Sequence, residues 1–288
     1  MTARPTISVV DALREKRLFG PFFDGPSWNT WSSVLKAAFA ERLNKAEIET
    51  FRSVAERDPP QHRVEELVCI AGRGAGKDSI ASFVAAHVSM SFDPKASKLR
   101  PGELAYVMCL AVDKDQSGVV FRYIKALFEE IPVLKAMVKG KIGSDSIELK
   151  NRVVIQVAVN SYRSVRGRSI LCTIFDEVAF WRDENSKNPD VEVHAAMTPG
   201  LKRIRGSMLI LISSAHRRSG LLYDRWKTHY GKDDADILVV RGTTLQFNPT
   251  FDRKAIEKAL LLDPQRYGAE YNSDWRDDLA TFLSRELI

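Results

Sequence analysis

The stretch Ala71-Gly72-Arg73-Gly74-Ala75-Gly76-Lys77-Asp78-Ser79 combines three closely spaced glycines with a lysine and a hydroxyl. Such glycines let backbone N–H groups wrap a phosphate, and a lysine opening the next helix neutralises the β and γ phosphates of a nucleotide. Two positions depart from the pattern G-x-x-x-x-G-K-[ST]. Ala71 replaces the first glycine, and Asp78 stands where a hydroxyl normally holds Mg²⁺. Either Asp78 binds the metal directly or Ser79 supplies the hydroxyl. The plainer alternative is a Gly-rich turn with Asp78 capping a helix. Further on, the apolar run Ile170 to Phe175 ends in Asp176-Glu177. In nucleotide hydrolases the first acid of such a pair positions Mg²⁺ and the second polarises the attacking water, because phosphoryl transfer mostly needs positioning and charge neutralisation. A helix cap would also explain the pair, but its place downstream of a phosphate loop favours chemistry.

A third run, Met208 to Ile212, ends in Ser213-Ser214. Small hydroxyl residues there would either feel the γ-phosphate and couple its loss to movement, or form an ordinary turn. Basic residues bracket this run, with Lys202, Arg203 and Arg205 before it and His216, Arg217 and Arg218 after it. A strand of about six residues spans roughly 20 Å, so the two clusters serve different surfaces. Each is either a solvated face or a contact for a phosphate backbone. For the base, Gln61 is the candidate reader of the adenine edge, and Trp28, Trp31, Phe22 and Phe23 are candidates to stack or to fill the core.

These groups need a scaffold that brings three strand ends together. Apolar, β-branched-rich runs recur at Glu66 to Ala71, Leu104 to Ala111, Val153 to Val159, Ile170 to Phe175, Met208 to Ser213 and Ile237 to Arg241, between helical patterns. Continuous apolar strands alternating with helices predict a largely parallel α/β sheet, with ligands at the carboxyl ends of its strands. A Glu directly after the Asp marks the class in which an extra strand separates the two motifs. Before the first strand, Trp28 to Ala40 and Ala46 to Arg57 carry helical spacing, and Asn44 with Glu47 forms a capping box. After the last, helices are expected at Lys254 to Leu262 and from Pro264 to about Asp274. The expected division is a helical segment over 1–60, a core over 61–245 and a small segment over 246–288.

With 288 residues, 44% hydrophobic and 28% charged, the chain suits one large domain and neither a disordered nor a disulfide-framework protein. The longest apolar stretch, Leu104 to Val112, is about half of the roughly 18 residues a membrane-spanning helix needs. Cys69, Cys109 and Cys172 lie inside apolar runs and read as reduced core thiols of a cytosolic protein. A net charge of +6 is compatible with a polyanionic partner without requiring one.

Taken together, Gly72 to Lys77, the Arg166-Gly167-Arg168 segment, Asp176-Glu177-Val178-Ala179-Phe180-Trp181, Ile212-Ser213-Ser214 and Tyr271 to Asp278 resemble the large terminase subunit of tailed bacteriophages. The resemblance spans about Gln61 to Asp278 and implies the ATPase half of a DNA-packaging motor. It implies a P-loop NTPase of the ASCE type with small helical appendages at both ends. Lys77 would bind phosphates, Asp176 would hold Mg²⁺, Glu177 would activate water and Arg73 would sense or stabilise the γ-phosphate of ATP, which makes Glu177, Arg73 and Lys77 the implied catalytic residues. Arg73 pairing with an acid at the sheet edge is the alternative. Arg163, Arg166, Arg168, Arg217 and Arg218 are unranked candidates for a trans-acting arginine or a DNA contact. The implied partners are double-stranded DNA, the portal protein, the small terminase subunit and further copies in a ring on the capsid, with a monomer in isolation and no membrane. The implied location is the cytoplasm of the infected host, outside the mature virion. Only a short segment follows Asp278, so the family's nuclease domain, and with it DNA cleavage, is not expected. The alternatives are a helicase-like nucleic-acid-dependent ATPase and a nucleotide-binding assembly switch that does not hydrolyse.

Overall fold

The computed structural model describes residues 7–97, 99–111, 114–159, 167–181 and 189–276. Its strands are β1 (Glu66–Ala71), β2 (Ala105–Ala111), β3 (Ser146–Glu148), β4 (Val153–Val159), β5 (Ser169–Asp176), β6 (Met208–Ser213) and β7 (Ile237–Gly242). They form one sheet in the order β3-β4-β2-β5-β6-β1-β7. Every pairing is parallel except β3 with β4. Six of the strands are the apolar runs of the sequence, most within a residue at either end. The seventh, β3, has three residues and a single fully buried side chain, Ile147, too short a signal to read beforehand.

Every residue of β1, β5 and β6 is buried, which explains their uninterrupted apolar character. Side chains alternate between two cores, Leu67 and Cys69 facing one and Val68 and Ile70 the other. The first core is closed by the helices Asn29–Ala38, Lys45–Ala55, Lys77–Ser91 and Lys114–Glu130, so the N-terminal segment packs on the sheet through Trp31 and Phe51. The second is closed by Pro189–Leu201, Leu221–His229 and the 3-10 turn Val178–Phe180. The capping box is present: the Asn44 side chain accepts from the Glu47 N–H at 3.0 Å, and Glu47 accepts from the Asn44 N–H at 2.8 Å. Among the described residues no helix is long and apolar enough to cross a membrane. The three cysteines are buried and free, and burial drives their thiols up, Cys172 to about 12, which keeps them protonated.

The helix Lys77–Ser91 also carries a buried histidine, His87. Its ring stacks on Phe83 at 5.8 Å and meets Phe39 edge-on at 5.9 Å, and its Nδ1 has no hydrogen-bond partner. Burial and then the nearby charge of Arg63 push its pKa down to about 4. The unfolded chain therefore takes up a proton near pH 6.5 that the folded chain refuses until about pH 4. Stability is lost as pH falls through that window, by on the order of 3 kcal/mol for this group when the window is crossed. His87→Leu should flatten the loss. Urea denaturation at pH 7 and pH 5 checks this, and equal pH sensitivity in both proteins would assign the acid lability elsewhere.

Candidate functional site

The carboxyl ends of β5, β6 and β1 lie side by side, and each delivers one part of the site. From β1 the chain enters the glycine loop and then the helix Lys77–Ser91. Gly76 caps that helix at φ +85°, a left-handed conformation that side chains rarely adopt. Gly72 is needed for a different reason, since a Cβ there would meet the Thr244 hydroxyl at 2.3 Å and the Tyr271 carbonyl at 2.5 Å.

The loop is gripped from both sides by residues far away in sequence. The Trp31 indole N–H donates to the Ala75 carbonyl at 2.7 Å. The Thr244 hydroxyl donates to the Arg73 carbonyl at 2.8 Å, and the Asn248 amide donates to the Gly74 carbonyl at 3.0 Å. The Arg73 N–H donates to the Glu270 carbonyl at 2.6 Å. These contacts turn the loop carbonyls outward and fix the loop. None of Thr244, Asn248 or Glu270 carries a sequence signal for this role, because each is set by where the chain returns after β7.

Lys77 is buried, and its Nζ lies 3.1 Å from Glu177 Oε1. The Ser213 hydroxyl donates to Glu177 Oε2 at 3.0 Å. Lysine, acid and hydroxyl, from the ends of β1, β5 and β6, thus form one connected chain. Glu177 reaches both because its backbone adopts φ +48°, an uncommon conformation for a side-chain-bearing residue and one concentrated at functional sites. The turn is held by Trp181, whose indole N–H donates to the Asp176 carbonyl at 2.8 Å and whose ring packs on Phe175. The aromatic tail after the acidic pair thus acts as a brace.

Burial alone would pull the Lys77 pKa down, but Glu177 and Asp78 outweigh it and hold the amine charged above its ordinary value. Asp78 is pushed up by burial, opposed by Lys77 and reinforced by Glu177. Asp176 rises to about 8, through burial first and then repulsion from Asp78 and Glu177. One oxygen of each, Asp78 Oδ1 and Asp176 Oδ1, is buried without a hydrogen-bond partner. Two orphaned carboxylate oxygens beside a phosphate loop suit a divalent cation, so the residues fit Mg²⁺. Among the described residues no group of three or more His, Cys, Asp or Glu is arranged around a common metal position. A Mg²⁺ ion at a nucleotide needs only one or two carboxylates, since phosphate oxygens and waters complete it. Ser79, half-buried in the first turn of the same helix, is the other oxygen at hand.

Other candidates fall elsewhere. Arg73 does not point at Glu177: its guanidinium is exposed and pairs with Glu270 Oε2 at 3.3 Å, the sheet-edge acid reading. Gln61 is displaced from the site. The helix Asn29–Ala38 runs from the loop, at Trp31, to the start of β1, where Ala38 accepts from the Val64 N–H at 3.0 Å, so exposed Gln61 lies at the wrong edge of the sheet to read a base held at the loop. Trp31 is fully buried against Phe247, which makes it core. Arg168 covers the Tyr106 ring at the amino end of β5, roughly 25 Å of strand from Glu177. It therefore cannot serve its own chain's loop. Arg163 and Arg166 lie outside the described residues. Arg217 is on the loop's side of the sheet, donating to the Trp181 carbonyl at 3.3 Å, and Arg218 beside it is exposed. Ser214 is buried next to Ser213. Of the basic residues at the other end of β6, Lys202 is paired with Glu65.

A glycine loop between a buried parallel strand and a helix, with a strand separating it from an acid-tipped neighbour, defines a P-loop domain. The chain belongs to the family described as "Uncharacterized protein MJ0330, N-terminal P-loop domain", which it matches over residues 25–272. Its fold is that of large terminase ATPase domains. The large terminase ATPase domain of Thermus phage P74-26 aligns at 17% identity with a TM-score of 0.55, covering 84% of this chain and 97% of that one. The large terminase of bacteriophage HK97 aligns at 14% identity with a TM-score of 0.62, covering 93% of this chain and 55% of that one. No curated protein matches its sequence.

Proposed function

We propose that this chain is an ATP-hydrolysing motor domain that moves double-stranded DNA into a viral capsid. The observation that carries the hydrolase reading is the Lys77–Glu177–Ser213 chain at the ends of three strands. In this reading Lys77 exchanges Glu177 for the β and γ phosphates of ATP, and the released carboxylate accepts a proton from the attacking water. Asp176 and Asp78, with Ser79 as a further oxygen, would hold Mg²⁺, which supplies charge neutralisation on the phosphate oxygens. Ser213 positions Glu177, and together with Ser214 it makes the end of β6 the element that feels loss of the γ-phosphate. The unit comprises the 61–245 core with its two flanking segments.

The motor reading draws on the terminase ATPase fold and the basic charge. Its partners would be double-stranded DNA, the portal, the small terminase subunit and other copies in a ring, acting in the cytoplasm of an infected bacterium and absent from the finished virion. Arg217 and Arg218, at the nucleotide edge, are the described arginines placed for a neighbouring subunit or DNA.

Phosphate release from Mg²⁺·ATP, measured across protein concentrations with and without duplex DNA, tests the proposal. The rate per chain should rise steeply with concentration if a ring completes the site. DNA should stimulate it at low salt and lose effect as salt rises, because phosphate-backbone contacts are salt-dependent. Hydrolysis that DNA never alters would refute the motor role, and no release under any condition would refute the hydrolase.

A further inference from the structure

The proposed nucleotide has a direction. Its γ end faces Glu177 and Ser213, which come from β5 and β6 on one side of β1, whereas the other neighbour of β1 is β7. The nucleoside therefore leaves the loop on the β7 side. There the chain passes through the helix Thr244–Phe247 to Asn248 and Phe251, and returns along the helix Pro264–Asn272. Phe251 lies against the loop itself: a Cβ on Gly74, at φ +78°, would come 2.4 Å from its Cε2. Its ring centroid is 6.0 Å from that of Tyr271, which stacks on Tyr267 at 6.1 Å with the planes 17° apart. All three rings are half-buried, yet none belongs to either hydrophobic core. Trp28, which also touches the loop at Gly76, packs against the first core and meets Phe23 edge-on. The C-terminal rings are thus the aromatic surface beside the loop that the core does not use. Their position is fixed by the grip of Glu270 and Asn248 on Arg73 and Gly74.

We infer that Phe251 and Tyr271 form the stacking platform for the base of the nucleotide whose phosphates occupy residues 72–79. The inference rests on the nucleotide-binding reading above. Asn248 beside the platform is not free to read the edge of a base: its amide donates to the Gly74 carbonyl, and its oxygen accepts from both the N–H and the hydroxyl of Thr250. Stacking is tolerant of base identity because every base has a π-face. The site therefore takes nucleoside triphosphates with weak discrimination between ATP and GTP.

Calorimetric titration of the full chain with Mg²⁺ and ATP, GTP or inorganic tripolyphosphate tests this. Phe251→Leu and Tyr271→Leu should each weaken ATP and GTP by roughly tenfold and leave tripolyphosphate unchanged, whereas Tyr271→Trp should keep the wild-type affinity for ATP. Unchanged tripolyphosphate binding also shows that the variants are folded. ATP affinity insensitive to both leucine changes, or a wild-type preference for ATP over GTP of a hundredfold or more, would overturn the platform. If wild type binds neither ATP nor tripolyphosphate, the nucleotide reading itself fails and the platform falls with it.

Discussion

Glu177→Gln should lower phosphate release by at least about 100-fold while leaving ATP bound as tightly as in wild type. The amide keeps the length of the side chain, its oxygen still accepts the Ser213 hydroxyl, and the left-handed turn at φ +48° is unaffected. What disappears is the capacity to take a proton from water. Because the Gln side chain no longer pairs with Lys77, the lysine is also freer to meet phosphate, so affinity should hold or rise. Ser213→Ala makes a graded comparison: the carboxylate survives but loses one of its two anchors, and a loss of about tenfold in turnover is expected. Single-turnover hydrolysis beside equilibrium ATP binding separates the steps. If the Gln variant turns over within a few-fold of wild type, another group is the base.

Lys77→Ala should weaken Mg²⁺·ATP binding by about 100-fold or more, a larger effect on affinity than any other single change in the loop. The reason is the company the amine keeps. Asp78, Asp176 and Glu177 all act electrostatically on Lys77, and it is their principal buried counter-charge. Its removal leaves Glu177 and the two aspartates without that counter-charge beside the triphosphate, so the variant loses an attractive contact that nothing else in the site replaces. Arginine should not restore the site, since its wider, planar group does not fit the place of a compact ammonium. Titration with ATP in the presence and absence of Mg²⁺ reads the effect. Affinity within threefold of wild type would mean that the backbone N–H groups carry phosphate binding without the lysine.

Lys77 and Glu177 were recognisable from their neighbours in sequence, because a glycine loop must precede its lysine and an apolar strand must precede its acid. The same locality made β1, β5 and β6 legible: strands buried on both faces announce themselves as unbroken apolar runs. The Asn44–Glu47 capping box was readable for that reason too, since both of its hydrogen bonds join residues three apart.

Where the contact is long-range, the sequence was silent or misleading. Gln61 precedes β1 closely in sequence, yet the strand carries the chain across the sheet before the loop begins, so it ends on the far edge. Phe251, Glu270 and Tyr271 follow the loop by well over a hundred residues and reach it because β7 pairs beside β1 and delivers the chain there. Arg73 shows both levels in one residue. Its place in the loop suggested a phosphate partner, but the fold supplies Glu270 instead. The sequence by itself determined the chemical inventory of the site and the strands that present it, because those are properties of neighbouring residues. Only the tertiary structure decided which side of the loop each group approaches, because strand order places residues that no local pattern connects.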